Sequence, residues 1–190
     1  KENWENQKLL EFKEKGKIPV SDKWKNKYKE PFQLEKVIFS ELPESWRNAV
    51  WDEVSDWITY GFTRPMPHSK SGIPIITGKN IKNGKLSFER THFTPTESYD
   101  ELNAKDRPEQ GDILITKDGT IGRSAIVETQ NPFCVNQSVA VVWLKNSPLE
   151  RKYLLYVIQS TEVQNEIKLH SKGVAIQHLS VTDFRKMHLP

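Results

Sequence analysis

Apolar positions change their period several times along this 190-residue chain. They run together from Asp112 to Thr116, break at Asp118-Gly119, and resume from Ile121 to Val127. Glycine tolerates positive φ and aspartate bonds back to its own backbone, so Asp118-Gly119 predicts the tip of a tight hairpin. Gln137–Leu144 predicts a third strand ending in the loop Lys145–Ser147. Upstream, Gly72–Ile76 reads as a buried strand entered through Pro74, Asn83-Gly84 as a turn, and Phe88–Glu101 as the place of another short strand. After Ser147-Pro148 the period becomes helical, and that pair is a good start signal because the hydroxyl caps free amides and proline fits the first turn. Leu149–His170 is a predicted helix interrupted near Ser160-Thr161, with Tyr153, Leu154, Val157, Ile158, Val163 and Ile167 inward. Ser180–Asp183 resembles a capping box and opens a last short helix. Val54, Trp57 and Ile58 also recur at helical spacing.

The first 41 residues differ in kind. Lysine and glutamate alternate densely, apolar residues are sparse, and no strand pattern is present. Asn6–Lys15 predicts one amphipathic helix with Leu9, Leu10 and Phe12 on a common side and Gly16 as its stop. The stretch after it reads as an extended connector in which the basic run Lys23–Lys29 is a solvated loop, with phosphate contact as the lesser alternative. The pattern therefore divides the chain into an N-terminal helix and connector, residues 1–41, and a folded body, residues 42–190. The body is expected to be α+β, a twisted β-sheet or partly closed β core with short helices.

Composition narrows the classes of function. Formal net charge is +3, a mildly basic balance that permits a nucleic-acid partner without announcing one. No apolar run approaches the ~18 residues of a membrane helix and no signal peptide is visible, so no membrane role is expected. The one cysteine, Cys134, precludes an internal disulfide and a Cys-rich zinc site, and fits a reducing, cytoplasmic setting. It lies in the apolar stretch Pro132–Val135 and reads as a buried structural thiol. The five histidines form no HExxH pair and no zinc spacing with cysteine, so neither a metal nor a cofactor is expected. No phosphate-cradling P-loop is present, and Gly119–Gly122 follows a hairpin dipeptide rather than opening a long helix. Asp112 or Asp118 in a small metal-dependent nuclease is the rival enzymatic reading, but the spacing from Asp112 to Lys117 does not suit the nuclease acid–lysine pattern. Asn131-Pro132-Phe133 lacks the second proline of an amino-methyltransferase motif. The chain is therefore expected to bind rather than catalyse.

Polar residues with reach gather near predicted loop ends. Gly78–Lys85 carries Lys79, Lys82, Lys85, Asn80 and Asn83 within eight positions. Lys117, Thr120 and Arg123 flank the hairpin tip, and Lys172 and Gln177 follow the main helix. Lysine and arginine suit phosphates, whereas Asn, Gln and Arg read base edges through paired hydrogen bonds. Lys79, Lys82, Lys85 and Lys172 are accordingly candidates for phosphate, and Asn80, Thr120, Arg123 and Gln177 for base edges.

The order of segments resembles a known family. LPESW (Leu42–Trp46) followed by WDEVSDWITYG (Trp51–Gly61) is similar to the opening of a target-recognition domain from a type I restriction-modification specificity subunit. Gly72–Ile76, Asn80–Gly84, GDILITKDGTIGRSAIV (Gly111–Val127), Asn136-Gln137-Ser138, the helix from Tyr153 to Ser160 and the closing stretch Gly173–Pro190 resemble its later segments in the same order. That resemblance implies a recognition domain that reads one half of a bipartite site in double-stranded DNA. It also implies methyltransferase (modification) subunits and a motor-nuclease (restriction) subunit as partners. A recognition domain from a fused adenine-specific DNA methyltransferase is the nearest alternative. The chain departs from the family pattern in having neither a long spacer helix nor a second recognition domain.

Overall fold

In the computed structural model, residues 2–16, 18–19, 21–27, 39, 41–171 and 177–190 are described. The chain divides into two compact units, Lys1–Lys36 and Val37–Pro190. The first holds helix α1 (Glu2–Glu14) and a 3-10 turn at Asp22–Lys27, with Phe12 edge-on to Trp24 at 5.7 Å between ring centroids. Leu9 and Leu10 of α1 are 45% and 59% exposed, so the expected apolar side is only partly covered. Most of the expected connector lies outside the described residues.

The second unit is α+β. Its elements in order are β1 (Ala49–Val50), α2 (Trp51–Val54), β2 (Trp57–Tyr60), β3 (Ile73–Ile76), β4 (Ile81–Lys82), β5 (Lys85–Leu86), β6 (His92–Thr94) and α3 (Thr96–Asp100). There follow β7 (Ile113–Thr116), β8 (Ser124–Ile126), β9 (Cys134–Val135), β10 (Val139–Trp143), α4 (Arg151–Gln159), α5 (Thr161–His170), α6 (Val181–Lys186) and β11 (His188–Leu189). The central sheet has the order β2-β10-β7-β8, antiparallel throughout. A second sheet, β6-β3-β9, pairs β3 with β9 in parallel, and β4-β5 and β1-β11 are short ribbons. Among the described residues no sheet closes into a barrel.

The unbroken apolar runs of β7 and β10 follow from burial on both faces, which removes the polar half of a strand's alternation. Ile113, Ile115, Val142 and Leu144 face one core with Leu154, Ile158, Val163, Ile167 and Phe184. Leu114, Val139 and Val141 point the other way, onto Ile76, Ile81, Phe133 and Val135. The helical break sits at Ser160, whose hydroxyl accepts a hydrogen bond from the Val163 amide and caps α5. Ser180 does the same for the Asp183 amide at the head of α6.

Three expectations are corrected. Trp57 and Ile58 lie on a strand, because α2 ends at Val54 and the chain turns to pair with β10 through Trp143↔Trp57. The main helix begins at Arg151 with Glu150 as its cap, since Ser147 lies in a turn held by its amide bond to the Leu144 carbonyl. The hairpin does not turn tightly at Asp118-Gly119. Thr116 pairs with Arg123 through the Arg123 carbonyl, so the connection spans the six residues from Lys117 to Gly122.

Gly61 has a steric cause. A Cβ placed there would stand 1.8 Å from the Val135 carbonyl oxygen and 2.6 Å from that of Asn136. No side chain fits that gap. The close approach lets Phe62 donate its amide to the Val135 carbonyl at 3.1 Å, fixing the strand end that leads into Asn136.

Candidate nucleic-acid interface

The second unit carries an open groove of about 1070 Å³. Three stretches build it: Ile75–His92, the six-residue connection after β7 together with Arg123, and Asn136 with Ser138 after β9. Each stretch is shaped from within. In the first, Asn80 is 7% exposed, and its Oδ1 accepts from the Thr77 amide and hydroxyl, both at 3.1 Å. Its Nδ2 donates to the carbonyls of Ser87 and Glu89 at 3.1 and 3.2 Å. One buried amide thus ties the entrance of the β4-β5 ribbon to the turn that leaves it. Asn83 and Gly84 turn that ribbon at φ 50 and 75, the left-handed pair that an Asn-Gly hairpin requires.

In the second stretch, Thr116 is 1% exposed; its hydroxyl donates to the Thr120 carbonyl and accepts from the Arg123 amide at 3.0 Å. The segment after α5 then pairs with the tip. Gly119 donates its amide to the Gln177 carbonyl at 3.0 Å, and Leu179 donates to the Lys117 carbonyl at 2.8 Å. Asp118 is gripped by Lys117 Nζ at 2.8 Å and His178 Nδ1 at 2.5 Å. Burial pushes the Asp118 carboxyl up, but the hydrogen bonds and charges of Lys117 and His178 outweigh it and hold it below the ordinary carboxylate range. In the third stretch, Asn136 Oδ1 accepts from the Ser138 amide and hydroxyl at 3.2 and 2.6 Å.

Lys79, Asn80, Lys82, Lys85, Thr120 and Arg123 therefore line one groove, although sequence separates the first four from the last two by some 35 positions. Gln177 is exposed beside the tip but is not among the lining residues. Lys117 is 7% exposed, paired with Asp118, and set over the Tyr60 ring at 5.4 Å. Lys172 lies outside the described residues. Sequence reasoning passed over Arg90, His92, Asn136 and Ser138, which also line the groove. Arg90 has φ 53, and no glycine or asparagine marks its turn in the sequence.

The groove is cationic. Lys79, Lys82, Lys85, Arg90 and Arg123 line it against two acids, Glu89 and Asp118. None of the five cationic heads forms an ion pair with a described residue, whereas Arg64, Lys117 and Arg185 elsewhere do. Asp112 is 6% exposed and is not a lining residue, so Asp112 and Asp118 do not converge on the groove. Burial raises the Asp112 carboxyl to about 6, against the opposing hydrogen bonds from the backbone. Cys134 is fully buried, and burial pushes its thiol up to about 12, an inert structural position.

A family model for the type I restriction modification DNA specificity domain matches residues 65–190. A Methanocaldococcus jannaschii protein described as the specificity subunit of a type I restriction enzyme, MjaX, is 26% identical over 85% of this chain and 38% of its own length. The specificity subunit of the Escherichia coli type I restriction enzyme EcoBI is 24% identical over 78% of this chain and 32% of its own. The chain thus spans roughly a third of the length of these relatives. A chain from a solved type I restriction-modification system superposes with a TM-score of 0.58 at 19% identity, over 79% of this chain and 35% of that one, which shows a shared fold. With its matched segment covering all but the first part of the molecule, the chain belongs to the type I restriction-modification DNA specificity domain family.

Proposed function

We propose that the groove is a duplex-DNA-reading surface, and that the chain is the target-recognition part of a type I specificity subunit, with residues 42–190 as the recognition domain. It would read one half of a bipartite site and direct methyltransferase and restriction subunits, without chemistry of its own. The observation that carries this reading is the convergence on one ordered concavity of five cationic side chains from separate stretches of chain, none of them in an ion pair with a described residue. A duplex presents a regular row of phosphates, and lysines that displace its counterions supply sequence-independent affinity. Lys79, Lys82 and Lys85 fit that role: all three are exposed, and two of them face one another across the β4-β5 ribbon. Thr120 and Arg123, held by the Thr116 hydroxyl, fit base-edge contacts. Asn80 and Lys117 act from behind, since their polar atoms are already engaged within the protein. Gln177 stands at the rim through its carbonyl bond to Gly119.

The test is selection of bound duplexes from a randomised pool by the 190-residue chain. The reading predicts enrichment of one short motif. A pool that stays random through successive rounds, or cleavage of plasmid by clean protein with Mg²⁺, overturns it.

A further inference from the structure

The turn Ser87–Thr91 is more rigidly built than an exposed loop needs to be. Asn80 holds the carbonyls of Ser87 and Glu89, and the Ser87 amide donates to the Asn80 carbonyl at 2.8 Å. The Ser87 hydroxyl accepts from the Glu89 amide at 3.2 Å, and the Thr91 hydroxyl donates to the Phe88 carbonyl at 3.2 Å. Phe88 is seated edge-on against the fully buried Phe133, with 5.5 Å between centroids. On the far side, His92 is fixed by its pairing with Ile75 and stacks on His68 at 4.9 Å. Arg90 sits at the apex with φ 53, a left-handed conformation that a long side chain adopts rarely and at a cost. The guanidinium makes no hydrogen bond or ion pair with any described residue that would account for it. Arg64, Arg107, Arg151 and Arg185, by contrast, are all engaged inside the protein.

We propose that Arg90 and Glu89 form a base-reading pair that selects a G·C base pair, Arg90 on the guanine edge and Glu89 on the cytosine amino group. This rests on the reading of the groove as a DNA surface. Arginine's planar fork matches the two major-groove acceptors of guanine, and a carboxylate accepts from the cytosine amino group. A phosphate contact needs charge and reach alone, which the three exposed lysines already provide. A carboxylate next in sequence to the arginine opposes a phosphate by like-charge repulsion, yet is at home beside a base edge. The prior ordering of the turn also reduces what binding must immobilise, which favours a geometric contact over a diffuse one.

The experiment is duplex selection followed by competition binding with the full 190-residue chain and its R90K, R90G and E89Q variants. In the parent, one position of the enriched motif should be G·C. R90K and R90G should lose preference at that position alone, by roughly ten- to a hundred-fold. Binding to unrelated duplex should stay within about two-fold for R90K, which keeps the charge. E89Q should loosen the same base pair. Glycine is at home at this φ, so R90G should melt no lower than the parent, which separates lost reading from lost folding. Uniform weakening on every sequence with position preferences unchanged would assign Arg90 to a phosphate and overturn the proposal. Full retention of the motif by R90K overturns it as well. A parent chain that enriches no motif defeats the reading of the groove itself, and the present inference falls with it.

Discussion

Asn80→Ala tests whether one buried amide holds the groove in shape. The side chain is 7% exposed and makes four hydrogen bonds of 3.1–3.2 Å, two to Thr77 and two to the carbonyls of Ser87 and Glu89. Each such bond contributes about 0.5–1.5 kcal/mol net. Ser87 and Glu89 are exposed, so water replaces part of what their carbonyls lose. The Thr77 amide is better shielded, and the loss should come to about 2–3 kcal/mol in all. For a domain of this size each kcal/mol moves the melting midpoint by about 2–4 °C, so a fall of roughly 5–10 °C is expected. Asn80→Asp sharpens the test. It keeps the acceptor facing Thr77 but sets a carboxylate oxygen against two carbonyl oxygens, so it should be at least as damaging as alanine. Thermal unfolding by circular dichroism gives the magnitude, and amide exchange over residues 87–91 gives the location. If both variants melt within about 1 °C of the parent, with exchange unchanged, the amide is not what holds the turn.

Gly61→Ala should leave little folded protein at 37 °C, because its Cβ meets the Val135 carbonyl oxygen at 1.8 Å; Gly119→Ala, with open space but φ 75, should cost only about 1 kcal/mol, and urea unfolding that ranks the two the other way would refute the steric account. Asp112 gives a pH dependence. Its folded value near 6 lies above the unfolded value of 3.8, so the native state binds the proton more tightly. The stability this contributes is present below pH ~4 and is lost as pH rises through about 6, by up to about 3 kcal/mol. Asp112→Asn should therefore gain on the parent most above pH 7 and least near pH 4, and a gain of equal size at both pH values would contradict the assignment.

The legible parts of the fold are those where local signals and tertiary packing agree. The apolar runs of β7 and β10, the Asn83-Gly84 turn, the helix break at Ser160, the cap at Ser180 and the buried Cys134 all stand where the sequence pattern puts them. Trp57 and Ile58 misled because three apolar residues at helical spacing also fit a short helix that breaks into a strand. Asp118-Gly119 misled for another reason. Its turn is decided by Thr116, whose hydroxyl closes a six-residue loop, and by Gln177–Leu179, which pairs with the tip from 60 residues away. The groove's membership was half visible. Exposed lysines and turn residues announce themselves in a sequence, but Arg90 does not, because the turn that carries it is held by Asn80, Phe133 and β3 as well as by Ser87 and Thr91 beside it. Asn80 and Lys117 show the converse: residue types suited to DNA whose polar atoms the fold also engages internally, which the sequence does not reveal.

The salt dependence of duplex binding tests the central claim most directly. Fluorescence anisotropy against the enriched duplex, from about 50 to 200 mM salt, gives the slope of log K on log salt concentration, close to −0.9 per phosphate neutralised. Replacing Lys79, Lys82 and Lys85 together by glutamine should flatten that slope by about 2.7 and weaken related and unrelated duplexes alike. A triple variant with the parent's slope and affinity would mean that DNA does not lie in this groove.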